Sequence, residues 1–378
     1  MEIAENEAAL RDVTAAYAFP GAPVRVTPHG AGHINDTYCV VCRSGEGKET
    51  RFILQGLSPA AFPRPEEVME NFIGVTSHLR KKIEAAGGDP LRETLDLLPT
   101  RDGRPYHTDP AGKVWRLVRY IENTVCLQRA SPETFEAADR AFGRFQFLLR
   151  DYPAGTLRET VPGFHDTGRR FSKLLAALRE DKLRRAKDAE AEIRFALERE
   201  RDCFAATDAL REGKLPLRVT HNDTKLDNVL FDKDTMEGIC VIDLDTVMPG
   251  LSLYDFGDAI RYGANHCAED EEDLSKVSFD LDLYARFTRG FLAGAQGVFT
   301  ETELAYFPWG AKLMTLECGI RFLTDYLEGD RYFRIHDPGQ NLRRCRTQFK
   351  LVRDMEAQWE EMQRVICGAA AARKGKNE

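Results

Sequence analysis

Residues 221–228 read His-Asn-Asp-Thr-Lys-Leu-Asp-Asn, and residues 241–246 read Val-Ile-Asp-Leu-Asp-Thr. The first segment sets a carboxylate (Asp223), an amine (Lys225) and a carboxamide (Asn228) on one short loop. The second ends an apolar, β-branched run in acid, at Asp243 and Asp245. An alcohol is a poor nucleophile at neutral pH. A carboxylate that accepts its hydrogen bond orients it and takes its proton late in a phosphoryl transfer, so Asp223 is the candidate base. Lys225 is the candidate cation for a γ-phosphate; the plainer reading is a solvated loop lysine. Asn228 and Asp243 offer the oxygens that Mg²⁺ takes, usually one or two from protein with phosphates and water completing the shell. If the strand continues through residue 245, Asp243 and Asp245 face the same side. Asp245 is then either a ligand for a second metal or an acceptor behind the first. His221 more simply packs and hydrogen-bonds the loop. The set calls for ATP and Mg²⁺.

These groups need a sheet to hold a nucleotide and a frame to hold the loop. Residues 24–26, 38–42 and 51–55 read as strands, followed by strands near 95–99 and 114–121. A glycine-containing segment, residues 29–37, joins the first two strands where a phosphate-covering loop belongs. Gly30, Gly32, Asn35 and Thr37 are its candidate nucleotide contacts. Residues 66–85 carry apolar positions at helical spacing. After residue 122 the pattern turns helical: 132–151, 168–211, 254–262, 277–293, 301–328 and 338–367. The expected architecture is α+β and bilobal, protein-kinase-like, with a small β-rich N-lobe and a large helical C-lobe. Residues 1–121 form the nucleotide lobe, 122–128 a hinge, 129–372 the catalytic and substrate lobe, and 373–378 a disordered tail. The hinge backbone, beginning at Glu122, is placed to meet an adenine edge.

Bulk composition narrows the classes. The chain has 378 residues, 43% of them hydrophobic, enough for two lobes with a sizeable core. A net charge of -8 disfavours nonspecific nucleic-acid binding. The acidic N-terminus has no apolar segment of the secretory kind, and no apolar run approaches 18 residues, so no membrane partner is expected. Nine irregularly spaced cysteines suit reduced thiols and a cytoplasmic location. Cys39 and Cys42 have the CxxC form, but on a strand they point to opposite faces and read as core thiols.

The segments 220–228 and 241–245 resemble the aminoglycoside phosphotransferase and choline kinase superfamily. Residues 243–250, 254–258, 316–327 and 346–352 resemble more closely the N-acetylhexosamine 1-kinase group, and the likeness covers most of the chain. The resemblance implies a base at Asp223, metal ligands at Asn228 and Asp243, and a sugar gripped by His33, Tyr262, Arg321 and Tyr332. It implies ATP-dependent phosphorylation of the anomeric hydroxyl of an N-acetylhexosamine or related hexose. Arg321 has the forked donor such a ligand uses; the plainer reading pairs it with Asp325 one helical turn on. Asp255 precedes Phe256-Gly257 but is not the metal aspartate, since Asp243 holds that position. It caps a helix or braces the catalytic loop. One departure stands out. The third-strand position that carries a lysine in many such enzymes is Gln55, which brings no charge, and this leaves Glu70 on the next helix without its usual partner.

Two other functions fit the same residues less closely. An aminoglycoside- or choline-type kinase needs carboxylates for a cationic acceptor, and residues 269–273 (Glu-Asp-Glu-Glu-Asp) are the available run, though they read as a solvated loop. A non-catalytic nucleotide-binding protein has only Gln55 in its favour.

Overall fold

The computed structural model describes residues 10–30, 34–127 and 131–374. The N-terminal lobe is an antiparallel sheet built from β1 (Ala22–Pro28), β2 (Asp36–Arg43), β3 (Glu49–Gly56), β4 (Leu97–Leu98), β5 (His107–Thr108) and β6 (Val114–Arg119). Its order is β1-β2-β3-β6-β4, with β5 also on β6. The turn between β2 and β3 closes through Gly47 at φ 81°, a left-handed conformation that suits glycine. Val40, Cys42, Phe52, Leu54, Trp115 and Leu117 pack into one core on the sheet, and Cys39 and Cys42 are free buried thiols.

Helix α1 (Pro65–Ala85) has proline in its first turn, Glu66 and Glu67 at its positive end and Lys82 at its negative end. Its apolar stripe, from Val68 through Phe72 and Val75 to Ile83, is buried. A single turn, α2 (Pro90–Glu93), follows. The expected strand at 95–99 shrinks to two residues, since only Leu97 and Leu98 find partners on β6.

Strand β7 (Thr124–Val125) already pairs with β9 (Val229–Asp232), which pairs with β10 (Gly238–Val241). A two-stranded ribbon joins β8 (Arg218–Thr220) to β11 (Met248–Gly250). Helices α3 (Pro132–Leu148), α4 (Thr167–Glu180), α5 (Glu190–Leu197), α6 (Ala205–Arg211), α7 (Ser252–Gly263), α8 (Leu281–Ala295) and α9 (Glu301–Glu328) build the second lobe. Thr300 and Glu303 form a capping box that starts α9, and Gly329 at φ 97° ends it. The helix expected over 338–367 is two, α10 (Gln340–Ala357) and α11 (Trp359–Lys374), broken at Gln358. The expected tail is corrected at its start, because α11 runs through Lys374; residues 375–378 lie outside the described residues. Among the described residues no helix is long and apolar enough to cross a membrane.

Candidate active site

The catalytic segment lies between β8 and β9, and its backbone is held from beneath. Asp255, buried on α7, accepts from the amides of His221 (2.9 Å) and Asn222 (2.8 Å) and from Gln146 Nε2 (2.6 Å). Asp258, one turn on, accepts from Thr224 N at 3.0 Å. Thus Asp255 braces the loop. His221 is buried between Phe142 and Phe145 and contacts the Ile242 carbonyl at 2.9 Å, a packing role. Asn222 sits at φ 66°, a conformation that costs a non-glycine residue about 1 kcal/mol or more and persists only when its surroundings impose it.

That bend presents Asp223. Its Oδ2 accepts from Asn228 Nδ2 at 2.9 Å and lies 3.2 Å from Lys225 Nζ. Lys225 is therefore not a solvated loop lysine. Burial works to lower its pKa, but the carboxylates of Asp223 and Asp227 outweigh that and raise it. The amine stays charged beside the base.

Asp243 follows the end of β10 at φ 58°, ψ 58°. The expectation that Asp243 and Asp245 share one strand face is corrected here. The strand stops at Val241, Asp243 turns left-handed and residues 244–246 form a 3₁₀ turn. The two carboxylates consequently have different partners. Asp245 is buried, accepting from Arg116 Nη1 (2.5 Å) on one oxygen and Asn35 Nδ2 (2.6 Å) on the other. Asp243 has its carboxyl pushed up to about 6, by burial first and then by the charges of Asp245 and Asp223.

Among the described residues no cluster of three or more His, Cys, Asp or Glu is arranged to hold a metal. Mg²⁺ bound mainly by phosphates and water needs no such cluster. Asn228 turns its Nδ2 to Asp223, which leaves Oδ1 on the other side, and Asp243 is a carboxylate crowded by like charge. A hard divalent cation fits that pair, because it would relieve the crowding.

The remaining sequence-predicted residues fall into place unevenly. Gly30 takes φ 81°, and the amide of His29 closes the turn on the Thr37 carbonyl at 2.9 Å. Gly32 and His33 lie outside the described residues. Asn35 faces Asp245 and accepts from Ser58 N (3.0 Å), while Thr37 Oγ1 accepts from Gln55 Nε2 (3.4 Å). Glu122 is exposed. Its carboxylate pairs with Arg51 and its carbonyl accepts from Arg92 at 3.0 Å, so both are engaged within the protein. Glu70 is outward too, paired with Arg158 at 2.9 Å.

Toward the helical end, the plainer alternative for Arg321, a pair with Asp325, does not form. Asp325 is buried and accepts from the amides of Arg331, Tyr332 and Phe333 and from Asn341 Nδ2, all at 2.8–3.0 Å. It ties down the loop that brings Tyr332 to Arg321, whose Nη2 lies 3.3 Å from the phenol oxygen. Tyr262 is exposed, with the Arg261 guanidinium 4.0 Å from its ring centre.

Sequence reasoning missed three groups. Arg116 is completely buried and bonded to Gln55. His165 touches the Asn222 carbonyl at 2.9 Å and lies 3.5 Å from Glu317 on α9. Burial opposes charge on His165, but the Glu317 carboxylate prevails and raises its pKa. Asn71 on α1 donates to the Val247 carbonyl at 3.0 Å, tying that helix to the metal loop. Only Gln55, a neutral residue where a cation belongs, pointed toward any of them.

The chain is similar in fold to several solved structures. One is a microcompartment-associated aminopropanol kinase (17% identity over 94% of this chain and 98% of that chain, TM-score 0.61). Another is an amicoumacin kinase in complex with AMP-PNP, Ca²⁺ and Ami (15% identity, 91% and 92%, TM-score 0.58). A third is an aminoglycoside phosphotransferase from Alicyclobacillus acidocaldarius (14% identity, 97% and 96%, TM-score 0.54). At these identities the likeness is one of fold, and it is the bilobal α+β plan expected from the sequence. A family model described as the phosphotransferase enzyme family matches residues 25–293, which include β2 to β6, the loop at 221–228 and the turn at 243–246. On that match the chain belongs to the phosphotransferase enzyme family.

Proposed function

We propose that this chain is an ATP- and Mg²⁺-dependent kinase that phosphorylates the anomeric hydroxyl of an N-acetylhexosamine or a related hexose. In this reading the sheet lobe to residue 121 holds the nucleotide, 122–128 is the hinge, and the lobe from 129 carries the base and the acceptor. Asp223 accepts the hydrogen bond of the acceptor hydroxyl and takes its proton as the new O–P bond forms and the phosphoanhydride bond breaks. Lys225, 3.2 Å from Asp223, would offer its positive charge to the phosphoryl group in transfer. Asn228 and Asp243 would hold the divalent ion, which when bound neutralises phosphate charge.

The observation that carries the choice of acceptor is the environment of Arg321. It is paired with the Tyr332 phenol, and Arg170 stands near it, its pKa lowered by burial first and also by the Arg321 charge, against the Glu317 carboxylate 4.0 Å from its Nε. A cationic amino acceptor would meet like charge here; a neutral sugar would find donors. The acidic run that an amine-binding site would use is already engaged. Glu269 lies 3.6 Å from both Arg261 and Arg344, Asp270 accepts from Gln340, Glu272 faces Arg343, and Glu271 and Asp273 face Lys276.

The second reading, an amino-alcohol or aminoglycoside kinase, is favoured by the names of the similar structures, an aminopropanol kinase and an aminoglycoside phosphotransferase among them. ATP consumption against a panel of N-acetylhexosamines, free hexoses, aminopropanol, choline and aminoglycosides separates the two. The expected result is a kcat/KM for an N-acetylhexosamine at least about a hundredfold above every cationic acceptor, the scale on which unpaired polar groups discriminate. Preference for choline, aminopropanol or an aminoglycoside would replace the sugar reading with the second.

A further inference from the structure

The third-strand position that would carry a cation holds Gln55, yet a cation stands beside it. Gln55 and Arg116 are directly opposed across the antiparallel pair β3–β6, so their side chains share one face of the sheet. Gln55 Oε1 accepts from Arg116 Nε (3.0 Å) and Nη2 (2.9 Å). The guanidinium lies 4.4 Å from the Phe72 ring centre on α1, and Nη1 donates to Asp245. Arg116 is 0% exposed and Asp245 2%. A buried guanidinium is tolerated only when paired, and losing one partner of such a pair leaves an uncompensated charge. The neutrality of Gln55 follows. A lysine there would set a second cation against Arg116, whereas an amide oxygen satisfies it.

We propose that Arg116 is a positioning residue standing in for the absent third-strand cation. It directs its charge at Asp245 rather than at nucleotide, which fixes the metal loop to the nucleotide sheet and leaves Asp243 as that loop's one carboxylate for a metal. Full burial keeps the guanidinium from touching a ligand, so it acts through Asp245. Asn35 completes the clamp from the other side, joining the segment before β2 to the same carboxylate. Three parts of the nucleotide lobe thereby converge on one C-lobe side chain: Gln55 through Arg116, Arg116 itself, and Asn35.

The inference rests on the reading that a divalent ion and nucleotide bind at the Asp243 end. Its test is ADP binding by calorimetry, with and without Mg²⁺, on the full chain and on D243N, D245N, R116Q and the transplant Q55K/R116Q. Melting temperatures are measured alongside. Wild type binds ADP more tightly with Mg²⁺; if it does not, the underlying reading fails, whatever the variants do. Given that enhancement, D243N loses it. D245N and R116Q keep it within about threefold but bind ADP about tenfold more weakly under both conditions, because the sheet and the loop at Asp243 are no longer locked together and must be ordered on binding. The transplant recovers part of that loss by returning a cation to the same face. Loss of the Mg²⁺ enhancement in D245N as complete as in D243N would make Asp245 a metal ligand and overturn the proposal. So would wild-type ADP affinity in R116Q with only a lowered melting temperature. D245N, close to isosteric, carries the test if R116Q does not fold.

Discussion

Asn222 and Asp243, on either side of the phosphoryl-transfer chemistry proposed here, both take left-handed backbone, at φ 66° and 58°, which Asn and Asp adopt more readily than other side-chain-bearing residues. Asp223 follows the first bend and Asp243 is the second, and the two carboxylates sit in different environments. Asp223 is held by Asn228 and Lys225. Replacing Asp223 with Asn removes the proton acceptor but little volume. It is expected to lower kcat by about 10²- to 10⁴-fold, the usual worth of a general base, with ADP affinity unchanged within threefold. Activity within tenfold of wild type would move the base elsewhere. Asp243 is the opposite case. Its carboxyl titrates near 6, raised by burial and by Asp245 and Asp223. With the folded value above the unfolded one, its stabilising contribution is present below about pH 4 and is lost as pH rises through 6. Asp243→Asn mimics the protonated form. The ligand-free variant should melt about 1–4 °C above wild type at pH 7.5, with the gap closing toward pH 4, while Mg²⁺ no longer strengthens ADP binding. A variant that melts lower at pH 7.5 would show that Asp243 is not under like-charge crowding.

At the scale of elements, α7 and α9 act as platforms. Asp255 and Asp258 of α7 accept four hydrogen bonds that hold the catalytic loop or its support. Asp325 of α9 does the same for the loop at 331–333. Asp325→Ala leaves those backbone amides without their acceptor, each costing roughly 1–3 kcal/mol if it stays buried, and the Asn341 amide with Asp330 alone. The expected outcome is a lowered melting temperature together with an acceptor KM raised about tenfold or more, because Tyr332 is no longer held against Arg321, and an unchanged ATP KM. An unchanged acceptor KM would detach that loop from the acceptor. These platforms explain what the sequence could disclose. The helix over 301–328 was readable to the residue, since a capping box and a terminal glycine mark both ends. Asp223, Lys225, Asn228 and Asp243 could be singled out because their spacing is itself the pattern, and the structure brings Asn228 and Lys225 to Asp223. Arg116 was not: its relation to Gln55 depends on a strand register formed across the residues from 57 to 113, and no local pattern encodes that pairing. The shared face of Asp243 and Asp245 failed for a related reason, because strand periodicity does not reveal where a strand stops.

Across the whole molecule, the two lobes meet through ion pairs, among them Glu93–Arg144, Arg92–Asp232 and Glu70–Arg158, and through a few buried polar contacts. Asn71 reaches Val247, Arg116 and Asn35 reach Asp245, and β7 crosses into the sheet of β9 and β10. The chain carries -8 overall, and near Tyr332 the guanidiniums of Arg170 and Arg321 stand with the buried Glu317 carboxylate. Family membership fixes phosphotransfer chemistry, but a shared fold does not choose the acceptor; side chains such as these do. The central claim, transfer to an anomeric hydroxyl set against Asp223, is tested most directly by phosphorus NMR of the product formed from ATP, Mg²⁺ and an N-acetylhexosamine. The account predicts a phosphate resonance coupled to the sugar's H1, and none when Asp223→Asn protein is used. A phosphate coupled to the protons at C6, or no sugar phosphate while an amino alcohol is phosphorylated, would contradict it.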